Sequence, residues 1–539
     1  MGSLPSRHVT ALAVLTGPIP KLGLVALAVL SAGAILARDR RVGAGSLLGA
    51  MLLAPVLLLA DIWHSPQLSI VHRHPLLAAA GAAVALAVLV ALAVVIVRRP
   101  ALVAPLAVLA LPFRIPIQAG GATSNLLVPL YLVVAAGAVA FVWSTRSGTA
   151  GDTRPSRITP DPGRPRPATS TRRPRGAILG PGRAGPRWIE RLLAAYVVLY
   201  ALQSLYSSDF ETALQRMVFF YVPFALLFCL LRTLPWTPRL LRWCLGLVSA
   251  LAVVCAGLGF VEYATKTLIL NPKLVAANDV HTYFTVNSVF FDPDVFGRFL
   301  ALVMIPLAAV LLYDKDRREQ LAATAGLFVL WAGLVLTLSR SSLGALLVGL
   351  GTLAALRWPA RRTLLAAAVV IGIGAAAIAI TPNTFGLNQG ANGASSGRAS
   401  LVSGGIALFA DRPAPGYGSG SFVHEYRAHN PGSSQTLSAS HTIPITIAAE
   451  QGVIGEVIYL ALVLVAAVVL IRGAGGEPAR AALAAAFLAL VFHTLLYADF
   501  LEDPATWTLL GIGVALAAGG WRAPKRAVTG ATEAAAVTA

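Results

Sequence analysis

Charge is scarce in this sequence. Only 12% of its 539 residues are Asp, Glu, Lys or Arg, and 57% are hydrophobic, whereas soluble domains carry about 25% charged residues. With a mean hydropathy of +0.75, the composition excludes a soluble enzyme. Cysteine is scarcer still. Cys229, Cys244 and Cys255 all lie in apolar runs, so neither a disulfide scaffold nor a thiolate metal cluster is expected. Acidic residues are also few, 23 against 42 Lys and Arg, for a formal charge of +19. An excess of that size would suit a nucleic-acid surface, but the arginines follow a different pattern.

What is present is a series of apolar runs through the whole length, each close to the ~20 residues a helix needs to cross hydrocarbon. Candidate spans run 22–37, 43–61, 75–97, 100–113, 123–144, 191–207, 217–231, 243–264, 297–313, 321–338, 343–356, 363–381, 453–471, 481–498 and 506–520. The expected fold is all-α, a polytopic helical membrane protein with about 12–15 segments, the runs at 100–113 and 343–356 being short enough to be tilted or partly inserted. Loops 38–41, 98–99, 145–191, 232–242, 314–319, 357–362, 472–480 and the tail after 520 hold 30 Lys/Arg and 9 Asp/Glu. The opposite loops and their helix ends hold 10 and 13, leaving aside Arg7, Lys21 and the embedded Glu456. Because Lys/Arg bias in short loops sets orientation, the first set is expected in the cytoplasm. The charge therefore tracks topology, and no nucleic-acid partner is expected; the bilayer is the expected partner.

Residues 1–144 then form an N-terminal membrane bundle and 191–520 a second membrane core, with 521–539 as a cytoplasmic tail. Between them, 145–190 is rich in Pro, Gly, Arg, Ser and Thr. Such a composition cannot assemble an apolar core and reads as a disordered basic cytoplasmic linker. Two outer loops are long, 265–296 and 382–452. The second begins Gly/Ser/Asn-rich and then becomes amphipathic and apolar, so it is expected to pack back on the bundle and enclose a site.

The outer polar residues set the chemistry. Arg340, in "LTLSRSSLG", lies at a tight turn and is either a snorkelling anchor or an anion ligand, since its guanidinium is a fixed donor fork. Ser339 and Ser341 can bond the turn or the same anion. Arg398 opens "GRASLVSGGIALFADRPAPGYGSGSF", where "GYGSG" is only a weak phosphate-nest signal without a strand and a P-loop lysine. His441 can accept a proton near neutral pH, with His281, His424 and His429 as rivals. His424 and His429 do not have zinc-site spacing, and no metal is expected. Glu450 can pair with an arginine to hold the loop. Asp292, Asp294 and Arg298 form a charged collar at one helix mouth, and Asp499, Glu502 and Asp503 in "YADFLEDPATW" form a more acidic one.

Taken in order, "FFDPDVFGRFLALVMIPLAAVLL", "LTLSRSSLGALLVGL", "SGRASLVSGGIALFADRPAPGYGSGSF" and "SHTIPITIAAEQGVIG" make residues 190 to 520 resemble the O-antigen ligase and polysaccharide polymerase superfamily of bacterial membrane glycosyltransferases. The resemblance implies transfer of a glycan from a polyprenyl diphosphate carrier to a glycan, lipid or protein acceptor, at the outer face of the cytoplasmic membrane, with no cofactor. It implies catalytic roles for His441, Arg340 and Arg398, with Arg216 a competitor for the first arginine. Arg216, Arg298, Ser339 and Glu450 are the expected substrate-binding residues. The family pattern has Asn after the loop histidine, where this sequence has Thr442; the Glu450 and Gly452 spacing favours His441 over the His429–Asn430 pair. An Ala-, Gly- and Arg-heavy composition tilts the expectation toward exopolysaccharide polymerisation, with surface-glycan ligation the alternative. A transporter is the reading from another class; it would require polar pairs at the midplane and inverted repeats, which the sequence does not display.

Overall fold

Proline starts many of the helices. Pro18, Pro75, Pro238, Pro293, Pro478 and Pro504 each stand as the first helical residue, where the missing N–H would have no intrahelical partner and the fixed φ already suits the helix. Capping side chains serve three of these starts and three others. Asp209, Thr237, Asp292, Asp316, Ser339 and Asp503 each accept a backbone N–H from the first turn that follows, as a helix N-terminus requires.

The computed structural model describes residues 17–62, 73–119, 122–147, 184–269, 284–380, 398–431 and 442–520. Its elements are α1 (Pro18–Leu36), α2 (Arg40–Ile62), α3 (Pro75–Arg98), α4 (Val103–Ala110), β1 (Ile115–Ala119), β2 (Ala122–Leu126), α5 (Val128–Arg146), α6 (Ala184–Ser204) and α7 (Phe210–Thr233). They continue with α8 (Pro238–Thr265), α9 (Pro293–Tyr313), α10 (Arg317–Leu336), α11 (Arg340–Arg357), α12 (Ala360–Ile380), α13 (Arg398–Asp411), α14 (Phe422–His429), α15 (Ile443–Ile471), α16 (Pro478–Leu495) and α17 (Pro504–Ala515). The protein is an all-helical polytopic membrane protein, with β1 and β2 adding one small antiparallel hairpin. Among the described residues, ten helices are long and apolar enough to cross a membrane, and Pro100–Ala110 and Pro504–Gly519 are shorter apolar helices.

Burial ranks these helices. The most apolar window of α7 is 72% buried, whereas that of α3, with a mean hydropathy of 3.0, is only 11% buried. An apolar helix without protein neighbours must face lipid, so α7 is central and α3 peripheral. One hydrophobic cluster runs from Leu24 of α1 through Phe224 and Phe228 of α7 to Trp507 and Leu510 of α17. The N-terminal helices therefore share a core with the later ones. A second cluster joins α8, α9, α10, α11 and α16. Helix α6 begins at Ala184, inside the stretch expected as linker; 148–183 lies outside the described residues.

Among the described residues, loop contacts gather near both ends of α6. At one end Arg232 bonds Glu190 at 2.7 Å and the carbonyls of Ala34 and Ile35. At the other, Tyr206 reaches Pro415 at 2.5 Å, Ser207 reaches Ser419 at 2.8 Å, and Arg398 reaches Leu496 at 2.9 Å.

Candidate functional site

The second end is built on a break in α15. Gly452 has φ +63° and ψ −164°, a conformation that glycine adopts freely, and a side chain there would collide with Ala414 and Pro413. The break frees carbonyls that need partners. Tyr417 N–H donates to Ala449 O at 3.1 Å and Gly418 N–H to Glu450 O at 2.8 Å. Gln203 donates to Gln451 O at 2.9 Å, and Val453 N–H to Pro413 O at 2.8 Å. The Glu450 carboxylate accepts from Gly420 N–H at 2.8 Å and Phe422 N–H at 3.2 Å. The "GYGSG" run is thus a docking turn whose N–H groups are held by α15, and the Glu450–Gly452 spacing has a physical origin.

Arg216, on α7, lies 3.4 Å from Glu450 and 3.3 Å from Glu502. Together with Tyr196, Tyr200 and Tyr221 these residues line a cavity of about 30 Å³. Burial pushes the Glu502 carboxyl up to about 7, against the opposing pull of the Arg216 charge, because desolvation penalises the ionised form.

The second constellation centres on Asp294 in the first turn of α9. Its carboxylate accepts from Ser339 Oγ, from Ser341 Oγ at 3.1 Å and from Arg398 at 3.2 Å. Ser339 caps α11, the helix that Arg340 opens, so the starts of α9, α11 and α13 meet at one carboxylate. Behind it, Ser341 and Ser342 lie 3.2 Å from Nε2 of the buried His493. Arg398 is one-third exposed, and Arg340 is exposed on the same helix mouth.

Arg298 stands apart. Its side chain is 2% exposed, pairs with Asp503 at 2.6 Å and points donors at the carbonyls of Ala498 and Asp499. The loop 496–503 between α16 and α17 therefore receives three of the expected site residues: Arg398 at Leu496, Arg298 at Asp503 and Arg216 at Glu502. Sequence reading singled out the acidic run of this loop but not its role as the common partner.

His441 lies outside the described residues. Its neighbour Thr442 donates to Leu495 O at 3.1 Å, one residue before the carbonyl that Arg398 holds. His424 and His429 are about half exposed beside Glu425. Tyr417, whose hydroxyl bonds Asp411 and stands 3.5 Å from His429, is pushed up to about 12 by desolvation and the neighbouring carboxylate. Among the described residues no three His, Cys, Asp or Glu side chains group to hold a metal. No curated protein matches the chain. Residues 325–460, which run from α10 into α15 and carry Ser339, Arg340, Arg398 and Glu450, are similar to the family described as O-antigen ligase.

Proposed function

We propose that this protein is a metal-independent glycosyltransferase that moves a glycan from a polyprenyl diphosphate to an acceptor hydroxyl at the outer face of the cytoplasmic membrane. The observation that carries the reading is the meeting of α11 and α13 at Asp294, which sets Arg340 and Arg398 at one membrane-flanking mouth within the family-matched stretch. Two guanidinium forks suit a diphosphate, each offering paired N–H donors. They stabilise the charge that develops as the C1–oxygen bond to the diphosphate breaks. The acceptor oxygen bonds to C1 from the opposite side, inverting the anomeric centre. Its proton passes to His441, whose neutral imidazole is the base. Ser339 and Asp294 position the arginine mouth, and Glu450 holds the docking turn beside Arg216.

The preferred outcome is polymerisation onto another lipid-linked repeat, supported by composition. Ligation onto a lipid or protein is the second reading, favoured by the description of the matched family. The test uses the full chain with a defined polyprenyl-diphosphate glycan and reads product masses, which separate the two. Arg340→Lys and Arg398→Lys each keep charge but lose the fork, and turnover should fall at least tenfold, a loss of about 1.4 kcal/mol of transition-state stabilisation. His441→Ala should retain labelled donor yet fail to transfer it, and a chelator should leave wild-type turnover intact. Wild-type turnover in both lysine variants would remove the clamp, and turnover abolished by chelator and restored by a divalent metal would overturn metal independence.

A further inference from the structure

The opposite end of the molecule carries a second cavity, this one basic, that the proposed transfer reaction does not use. It has about 50 Å³ of room between the α1–α2 turn, α5 and the end of α7. Its mouth is polar, formed by Arg38, Asp39 and Arg40 with Arg232 and Thr233 below them, and its floor is apolar, with Leu47, Phe141, Cys229 and Leu230. Arg232 is nearly nine-tenths buried, fixed by Glu190 and by the carbonyls that end α1. Arg40 lies over the Phe141 ring at 5.3 Å, so its charge is held at the rim of the cavity. The start of the 23-residue α2 also faces this mouth, with Gly43 among the lining residues, and its dipole favours an anion there. Asp39 is the one carboxylate of the lining, and it accepts the Arg41 N–H at 2.8 Å, capping α2.

We infer that this cavity binds the phosphate of an anionic phospholipid headgroup. A phosphate meets two arginines at the rim and one below it, while the apolar floor accepts the glycerol end of the acyl chains. The helix ends around the cavity favour a lipid over a free anion: Trp143 on α5 and Trp188 on α6, which lie outside its lining, are 64% and 50% exposed. Exposed tryptophans at the ends of membrane helices mark the headgroup level. Arg191 lies over the Trp188 ring at 4.9 Å, so the same level carries further positive charge outside the cavity. Basic pockets between membrane helices are suited to lipid headgroups. The inference is independent of the glycan reading, since none of these residues touches the other end.

The test is native mass spectrometry of the full chain released from nanodiscs of phosphatidylglycerol and phosphatidylcholine, counting retained anionic lipid. Wild type should retain phosphatidylglycerol selectively. Arg38→Gln with Arg40→Gln should weaken retention about 30-fold, near fivefold for each arginine lost at a lipid surface. Arg187→Gln with Arg191→Gln, basic positions at the same end outside the cavity, should lower loosely held surface lipid but keep the selectively retained phosphatidylglycerol of wild type. Neither pair breaks the Arg232–Glu190 bond, and a thermal unfolding scan of both checks that they remain folded. Equal loss in both double variants would reduce the effect to surface charge and overturn the site. Displacement of the lipid by millimolar inorganic phosphate, with equal protection of the fold, would assign the cavity to a free anion and overturn the lipid inference.

Discussion

The Arg298–Asp503 pair offers a test in which burial fixes the magnitude. Both side chains are at least nine-tenths buried, at 2% and 9% exposure, and their atoms are 2.6 Å apart. Removing one partner of a buried pair strands the other charge, at about 3–5 kcal/mol. Asp503 also caps α17 by accepting Ala505 N–H at 2.7 Å. Asparagine keeps that cap, so Asp503→Asn isolates the charge. Arg298→Met keeps most of the side-chain volume and strands the carboxylate instead. Each single variant should lose about 3–5 kcal/mol. The double variant buries no charge and leaves only the carbonyls of Ala498 and Asp499, 3.4 and 3.5 Å from the guanidinium, to be satisfied anew. That loss is about 1–3 kcal/mol. Reversible unfolding in mixed micelles, followed by tryptophan fluorescence, measures all four proteins. Donor retention measured alongside should fall only as far as the folded fraction falls. Losses that add, so that the double variant is as unstable as the two singles together, would refute the coupled buried pair. A folded Arg298→Met protein that fails to retain donor would return Arg298 to substrate binding.

Glu502 gives a pH test. Its carboxyl is raised to about 7, so between the ordinary carboxyl range and pH 7 the folded state holds a proton that the unfolded chain has released; stability contributed by this group is full below that window and declines as pH rises through it. Unfolding midpoints of wild type should therefore fall from pH 5 to pH 7.5 more steeply than those of Glu502→Gln, and parallel profiles would refute the assignment. Sidedness is read with single cysteines at Lys315 and Ala428, both exposed and at opposite ends. The three native thiols are buried, so an impermeant maleimide on intact cells should label only Ala428→Cys, and labelling of both or of Lys315→Cys alone would overturn the orientation.

The bundle was legible because crossing a bilayer imposes a length and a hydropathy on each helix. The arginine segregation follows from the same kind of reason, and among the described residues Arg232 and Arg398 make their contacts at different ends of the bundle. What periodicity could not yield is pairing across sequence. Arg216 meets Glu450 from 234 positions away, and Arg398 meets Asp294 from 104. Each arginine had several carboxylates to choose from, and only packing selects among them. The Glu450–Gly452 spacing was visible as a pattern. Its cause, a helix break whose freed carbonyls hold the Pro413–Gly420 turn, requires the backbone of both segments.

Packing also separates arginines that look equivalent in sequence. Arg298 is 2% exposed, Arg216 15% and Arg398 33%, and Arg340 is exposed. On the proposed reading, a diphosphate recruits a guanidinium only if it offers more than the carboxylate already there. For Arg298 the exchange would strand Asp503 away from water, an expensive step. For Arg398 the released Asp294 keeps its two serine donors and stays one-fifth exposed, so the carboxylate remains solvated when the guanidinium turns. Arg216 is intermediate: Glu450 keeps the Gly420 and Phe422 N–H donors after release, and Glu502 can neutralise by taking up a proton. The order in which these arginines can engage a phosphate is therefore set less by their own charge than by what their carboxylate partners retain when they leave.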